Sequence, residues 1–257
     1  MLQLPHRIPE VAVDRDDIPV GRVLSRREAL AALGASGLAM LAGGGRPAHA
    51  WIGPRPRVPA CVARPEQTEG PYFVDRMLQR SDIRSDPSGG AVKEGTPLSL
   101  TFAVSVLRAG SCAPLAGAHV DIWHCDAQGI YSGVEDPGFN TVGKSFLRGY
   151  QITDAAGEAR FRTIYPGWYS GRAVHIHFKI RTDPQAERGH DFTSQVYFDD
   201  DLTAKVLSGM PYAAKTGRHD RNADDGIFAR GGDQLLLATR PSGGGYAGRF
   251  EVGLQLA

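Results

Sequence analysis

The stretch Tyr165-Pro-Gly-Trp-Tyr-Ser-Gly-Arg-Ala-Val-His-Ile-His-Phe178 passes from a turn into a strand. Pro166 and Gly167 break the chain. The run from Val174 to Ile180 then alternates and is rich in β-branched residues, which predicts a strand. Side chains at i and i+2 of a strand share a face, so His175 and His177 project together while Ile176 and Phe178 project the other way. Two imidazoles side by side on a rigid strand make half of a metal site. Tyr169 and Arg172 stand on the loop leading into it.

The same reading extends outward. Leu98 to Leu107 alternates cleanly and is a strand. Ala118 to His124, Phe146 to Thr153, Glu158 to Ile164, Thr193 to Phe198, Gln234 to Thr239 and Tyr246 to Leu256 read as further strands. Leu202 to Ser208 reads as a short helix, Ala109 to Pro114 as a turn and Asp126 to Lys144 as a long loop. Strands at this density, with 32 Gly and 17 Pro between and within them, predict an all-β fold, a β-sandwich with long loops. At 257 residues and 42% hydrophobic the chain can bury a substantial core, and no internal repeat or second-domain linker is visible. A net charge of +1, with no long run of Lys and Arg, gives no basis for nucleic-acid binding.

The N-terminus reads as an address. Ser25-Arg-Arg-Glu-Ala-Leu30 precedes an apolar run from Ala31 to Gly44, and Ala48-His49-Ala50 follows as a cleavage site. Residues 1–50 are therefore expected to be a twin-arginine export signal, and residues 51–257 the folded domain. The apolar run is shorter than the roughly 20 residues that span a bilayer, so no stable membrane span is expected after processing. The expected location is periplasmic or extracellular. There an oxidising compartment permits a disulfide, and Cys61–Cys112 is the favoured pair, with Cys125 at a buried strand end.

The residues alone do not complete the metal site. His119, His124, His190 and His219 remain, and none has the spacing of a third ligand, although His124 is a fair candidate. Tyr131 and Tyr169 are better completions, because a phenolate is a hard anionic donor suited to a trivalent ion. A tyrosine titrates near about 10, so only a strongly Lewis-acidic metal keeps it ionised at neutral pH. Against this, a tyrosine in a β-protein is usually packed and hydrogen-bonded, and an isolated His-x-His pair is more often not catalytic. The acidic runs Asp199-Asp-Asp201 and Asp224-Asp225 lack calcium-loop spacing and read as solvated turns.

Taken together and in order, the motifs Thr68-Glu-Gly-Pro-Tyr72, Trp123 to Gly133, Pro166 to Tyr169, Arg172-x-x-His-x-His177 and Gln195-Val-Tyr-Phe198 resemble those of the intradiol ring-cleavage dioxygenases. That family includes the protocatechuate 3,4-dioxygenases and catechol 1,2-dioxygenases. The resemblance implies a prealbumin-like β-sandwich whose long loops carry Fe(3+). It implies Tyr131, Tyr169, His175 and His177 as metal ligands, with Tyr169 the one that yields to substrate. It implies Arg172 as a stabiliser of negative charge and Gln195 as a pocket residue. The implied substrates are a catechol and O2, cleaved between the two hydroxyl carbons to a cis,cis-muconate-type diacid. Tyr72, Tyr150 and Gln151 are pocket candidates, and Trp168, where many members have Pro, is expected to alter the pocket's width. The helical N-terminal dimerisation region of the catechol 1,2-dioxygenases is expected to have no room here, so that the chain looks like a compact, exported, catalytic-domain-only member, and a homodimer is among the assemblies left open.

Two other readings fit the residues: a divalent-metal hydrolase using the His-x-His pair, and a metal-free transthyretin-like binding module. Colour separates the dioxygenase reading from these two. Tyrosinate-to-Fe(III) charge transfer predicts a burgundy protein whose broad visible band is altered or bleached in Tyr131→Phe and Tyr169→Phe. A colourless protein, with zinc or no metal, would reject the dioxygenase reading.

Overall fold

The computed structural model describes residues 62–108, 111–183 and 189–256. The expected export signal and Cys61 lie outside them. Cys112 is disulfide-bonded, whereas Cys125 is free and buried. No helix among the described residues is long and apolar enough to cross a membrane.

The chain is mostly β-sheet. In order it forms β1 (Pro97–Arg108), β2 (Ser111–Pro114), β3 (His119–Trp123), β4 (Glu135–Asp136), β5 (Phe139–Asn140), β6 (Arg148–Ile152), β7 (Glu158–Ile164), β8 (His175–Arg181) and β9 (Asp191–Tyr197). A helix, α1 (Asp200–Leu207), follows, and β10 (Thr239–Ser242) and β11 (Gly245–Gln255) close the chain. One sheet is built on β1. Strand β11 runs parallel along it, β7 pairs antiparallel with its first half, and β2 pairs with its second half. The second sheet has the order β6-β3-β8-β9, with each pair antiparallel.

Three local expectations are corrected. Ser111–Pro114 is a strand rather than part of a turn, because Ser105 to Arg108 run past the end of β7 and leave a ladder for it to pair with. The strand expected over Gln234 to Thr239 is absent up to Ala238, and β10 begins only at Thr239. Gly232–Leu235 is a 3-10 turn, and Leu235 and Leu237 are buried either side of exposed Leu236 with one bridge to Tyr197. The alternation there reflects burial without a ladder. Asp199 to Asp201 is the start of α1 rather than a plain turn. Asp199 caps the helix by accepting from the backbone N–H of Asp201 and Leu202, and Asp200 and Asp201 face its positive end.

Alternation along β3 and β8 sorts the second sheet into two faces. Val120, Ile122, Ile176, Phe178 and Ile180 join Leu98, Leu100, Phe102 and Phe250 of the first sheet in one hydrophobic cluster. The Phe102 and Phe178 rings lie 5.0 Å apart, and Phe178 and Phe250 lie 5.7 Å apart. The opposite face carries Trp123, His175, His177, Gln195 and Tyr197, and the segment through Thr68, Tyr72, Phe73 and Arg80 is hydrogen-bonded or stacked across it. Phe178 is 0% exposed and touches both sheets. Phe178→Ala is expected to lower the unfolding free energy by about 3–5 kcal/mol, read as a lower midpoint in a urea titration.

Candidate metal centre

Register places the site. His177 on β8 stands opposite Trp123 of β3 on one side and Gln195 of β9 on the other, and His175 stands opposite Tyr197. The His177 ring stacks on Trp123 at 5.1 Å and 5°. His175 Nδ1 lies 2.6 Å from the carbonyl of Ala173. A carbonyl only accepts, so Nδ1 carries the proton and Nε2 presents its lone pair. That Nε2 lies 3.0 Å from His177 Nε2 and 3.2 Å from Tyr169 Oη.

Tyr131 arrives from the loop after β3. Asp126 shapes the loop, its Oδ1 accepting the N–H of Gln128 at 3.0 Å and of Ile130 at 3.1 Å. The Tyr131 ring is 1% exposed, stacks on Tyr72 at 4.4 Å, and lies 5.8 Å from the Tyr169 ring and 6.2 Å from that of His177. The two tyrosine loops touch backbone to backbone. Gly167 N–H donates to Asp126 O at 3.1 Å, and Lys215 Nζ donates to Gln128 O at 2.8 Å and Trp168 O at 2.7 Å. Gly129 has φ +81°, and a Cβ there would lie 2.2 Å from Trp168 O.

Arg172 and Gln195 meet behind the imidazoles. Arg172 Nη2 donates to Gln195 Oε1 and, at 3.3 Å, to Tyr197 Oη, while its Nε donates to Asp225 Oδ2 at 3.1 Å. Gln195 Nε2 donates to Thr68 O at 3.1 Å, and Tyr197 Oη donates to Gln67 Oε1 at 3.0 Å. Burial, and then the nearby Arg172 charge, holds both His175 and His177 well below the usual histidine range, so both are neutral. Burial, reinforced by Tyr169, pushes the Tyr131 hydroxyl well above its ordinary value.

These atoms fit a cation. Tyr169 Oη, His175 Nε2 and His177 Nε2 converge, and a single lone pair on His175 Nε2 faces two neighbours. Tyr131 Oη is buried without a hydrogen-bond partner. Among the described residues no group of three or more His, Cys, Asp or Glu stands ready to hold a metal, and the oxygen atom beside the two imidazoles is the Tyr169 hydroxyl.

The structure thus brings Tyr131, Tyr169, His175 and His177 together, with Arg172 and Gln195 bonded to each other beside them. Tyr72 packs on both tyrosines. Other expectations fall elsewhere. His124 is no ligand candidate, since its ring bonds Cys125 O at 2.8 Å and Thr163 Oγ1 at 2.7 Å. Tyr150 stacks on His119 further along the sheet, and Gln151 bonds the Tyr150 carbonyl. Trp168 packs in the main hydrophobic cluster beneath Lys215. Asp225, read as part of a solvated turn, is 1% exposed and ion-paired to Arg172. Tyr197 and Gln67 were not anticipated. Strand period would have found Tyr197, two residues from Gln195 and opposite His175.

A family model described as a dioxygenase matches residues 68–217. The protocatechuate 3,4-dioxygenase beta chain of Burkholderia cepacia is 32% identical over 174 residues, covering 63% of this chain and 71% of that one. A chlorocatechol 1,2-dioxygenase of Pseudomonas putida is 29% identical over 156 residues, covering 51% of this chain and 52% of its own length. The chain spans about half the length of such chlorocatechol relatives. Among solved structures, an intradiol ring-cleavage dioxygenase from Tetranychus urticae superposes with a TM-score of 0.64 at 30% identity, covering 76% of this chain and 95% of that one.

The contact between the tyrosine loops has a measurable consequence. Gly129→Ala forces a left-handed backbone on a residue with a Cβ, which costs about 1–3 kcal/mol, and drives that Cβ into Trp168 O. Urea unfolding is expected to show a loss at or above that range.

Proposed function

The chain belongs to the intradiol ring-cleavage dioxygenase family, and from that membership we propose that it cleaves a catechol-type ring between its two hydroxyl carbons with O2, giving a cis,cis-muconate-type diacid. Tyr131, Tyr169, His175 and His177 would hold Fe(3+). The observation that supports this best is the convergence of Tyr169 Oη, His175 Nε2 and His177 Nε2 beside the unpartnered Tyr131 Oη. Bound Fe(III) supplies Lewis acidity, which keeps phenol and catechol oxygens ionised and prepares the ring carbon for O2.

The chain's own residues divide the remaining work. Tyr131, buried beneath Tyr72, is the permanent anchor. Tyr169 is only half-buried, and its Oη is suited to take one of the two protons a catechol must lose. Both imidazoles are kept neutral, as ligands must be. Arg172, its charge fixed in a buried network, favours negative charge developing on the ring, an instance of preorganised electrostatics. Gln195 holds the guanidinium on one side. The two sheets sharing one core suit a prealbumin-like β-sandwich, and the twin-arginine pattern over residues 1–50 suits export of residues 51–257 as a folded catalytic domain.

Iron-loaded protein, titrated anaerobically with catechol, protocatechuate or hydroxyquinol, is expected to shift its visible band. Admitting O2 should release the corresponding diacid. Arg172→Ala should keep the band and lower kcat by about 10²–10³-fold, while His175→Ala should lose iron. An unshifted band and no diacid with any catechol would overturn the proposal.

A further inference from the structure

Asp225 follows the 3-10 turn Asn222–Asp224, and its side chain is fully buried. Its two carboxylate oxygens do different jobs. Oδ1 accepts the backbone N–H of Ile227 at 2.7 Å and of Phe228 at 3.1 Å, which organises its own turn. Oδ2 turns the other way, accepting Arg172 Nε at 3.1 Å and the N–H of Ala173 at 2.9 Å. The carbonyl of that same Ala173 accepts the Nδ1 proton of His175 at 2.6 Å. One oxygen therefore fixes the Arg172 guanidinium directly, and fixes the ring and tautomer of His175 through one peptide unit.

We propose that Asp225 is a positioning residue for ring cleavage, acting on Arg172 directly and on His175 through Ala173; this rests on the dioxygenase function proposed above. The division of labour is the reason for assigning it more than a structural role. A carboxylate needed only to close its turn would be satisfied at Oδ1. The interactions at Oδ2 contribute nothing to the turn, and both point at the metal centre. A buried guanidinium also requires a compensating charge, and Asp225 meets Arg172 where both side chains are nearly or fully excluded from solvent. Groups that orient a metal-ligating histidine through its second nitrogen typically change affinity or activity about 10–100-fold when altered.

Asp225→Asn tests the assignment with little change in shape. In either amide orientation, the NH2 faces two N–H donors. In iron-loaded protein, kcat and kcat/KM should fall together by about 10–100-fold, and the visible band should move as His175 loses its fixed orientation. In an Arg172→Ala background the same change should cost less than in wild type, because part of its effect passes through the guanidinium. Asn222→Ala is the control. It removes the bond from Asn222 Nδ2 to Phe198 O (2.8 Å) in the same turn, so it should lower stability while leaving kcat per bound iron and the band unchanged.

Wild-type kcat per iron and an unmoved band in Asp225→Asn, or an equal loss in Asn222→Ala, would overturn the proposal. If Asp225→Asn does not fold alone, Asp225→Asn/Arg172→Met, neutral at both positions, replaces it. Its band must differ from that of Arg172→Met, and an identical band overturns the His175 arm. Wild-type protein with neither band nor ring-cleavage product would instead sink the dioxygenase reading, and the proposal with it. Losses confined to the variants bear on Asp225 only.

Discussion

The period of two along β8 is the constraint on which the rest depends. Ile176, Phe178 and Ile180 are each 0% exposed in the shared core, and His175 and His177 occupy the other face. Antiparallel pairing on both sides locks this, with Trp123 and Gln195 flanking His177 in one row. A slip of one residue would carry two imidazoles into the phenylalanine cluster and three apolar side chains onto the polar face. The register that builds the core is therefore the register that builds the site. No separate interaction is needed to bring the histidines together.

The polar face is not a wet face. Arg148, Arg172, His175, His177 and Gln195 are all buried, and a buried polar group is costly unless it is bonded. Most of that cost is offset locally. Arg148 donates to Ser132 Oγ at 2.8 Å and to Tyr72 O at 3.1 Å. The Arg172, Gln195, Tyr197 and Gln67 side chains form a chain of bonds that ends on Ile227 O. The exceptions include Trp123 Nε1, Tyr131 Oη and His177 Nδ1, all in residues clustered around the proposed metal position. His119 Nδ1, further along the same face of β3, is open as well, and of these atoms only Tyr131 Oη is a proposed ligand atom.

What the sequence made legible follows the range of the interaction. The paired projection of His175 and His177 needs only a local period, and so does the split between core and site faces. Tyr131 is 44 residues before His175, and only the resemblance of whole motifs joined it to the strand. Asp225 was misread for a physical reason. Acidic residues beside Gly are usually solvated, and nothing local in Asn222-Ala-Asp-Asp-Gly226 shows that a guanidinium 53 positions earlier will bury one of them. Gln234 to Thr239 failed differently, because alternating burial can arise from a packed turn as well as from a ladder.

The two tyrosines are held with unequal freedom, and the asymmetry is built into their loops. Tyr131 is buried under Tyr72, and its carbonyl is bonded by Thr141 Oγ1 at 2.7 Å. Tyr169 lies between two fixed points. Lys215 holds the carbonyl of Trp168, and Asp220 Oδ2 accepts the N–H of Gly171 at 2.7 Å. Only Tyr169 and Ser170 lie between these anchors, and both are at least partly exposed. The ligand exchange proposed at Tyr169 would therefore have little backbone to move. It would be confined to rotation of the side chain, away from a His175 ring that its own Nδ1 bond keeps in place. The contacts that hold the loops together would also limit how much of the site changes if that oxygen left it.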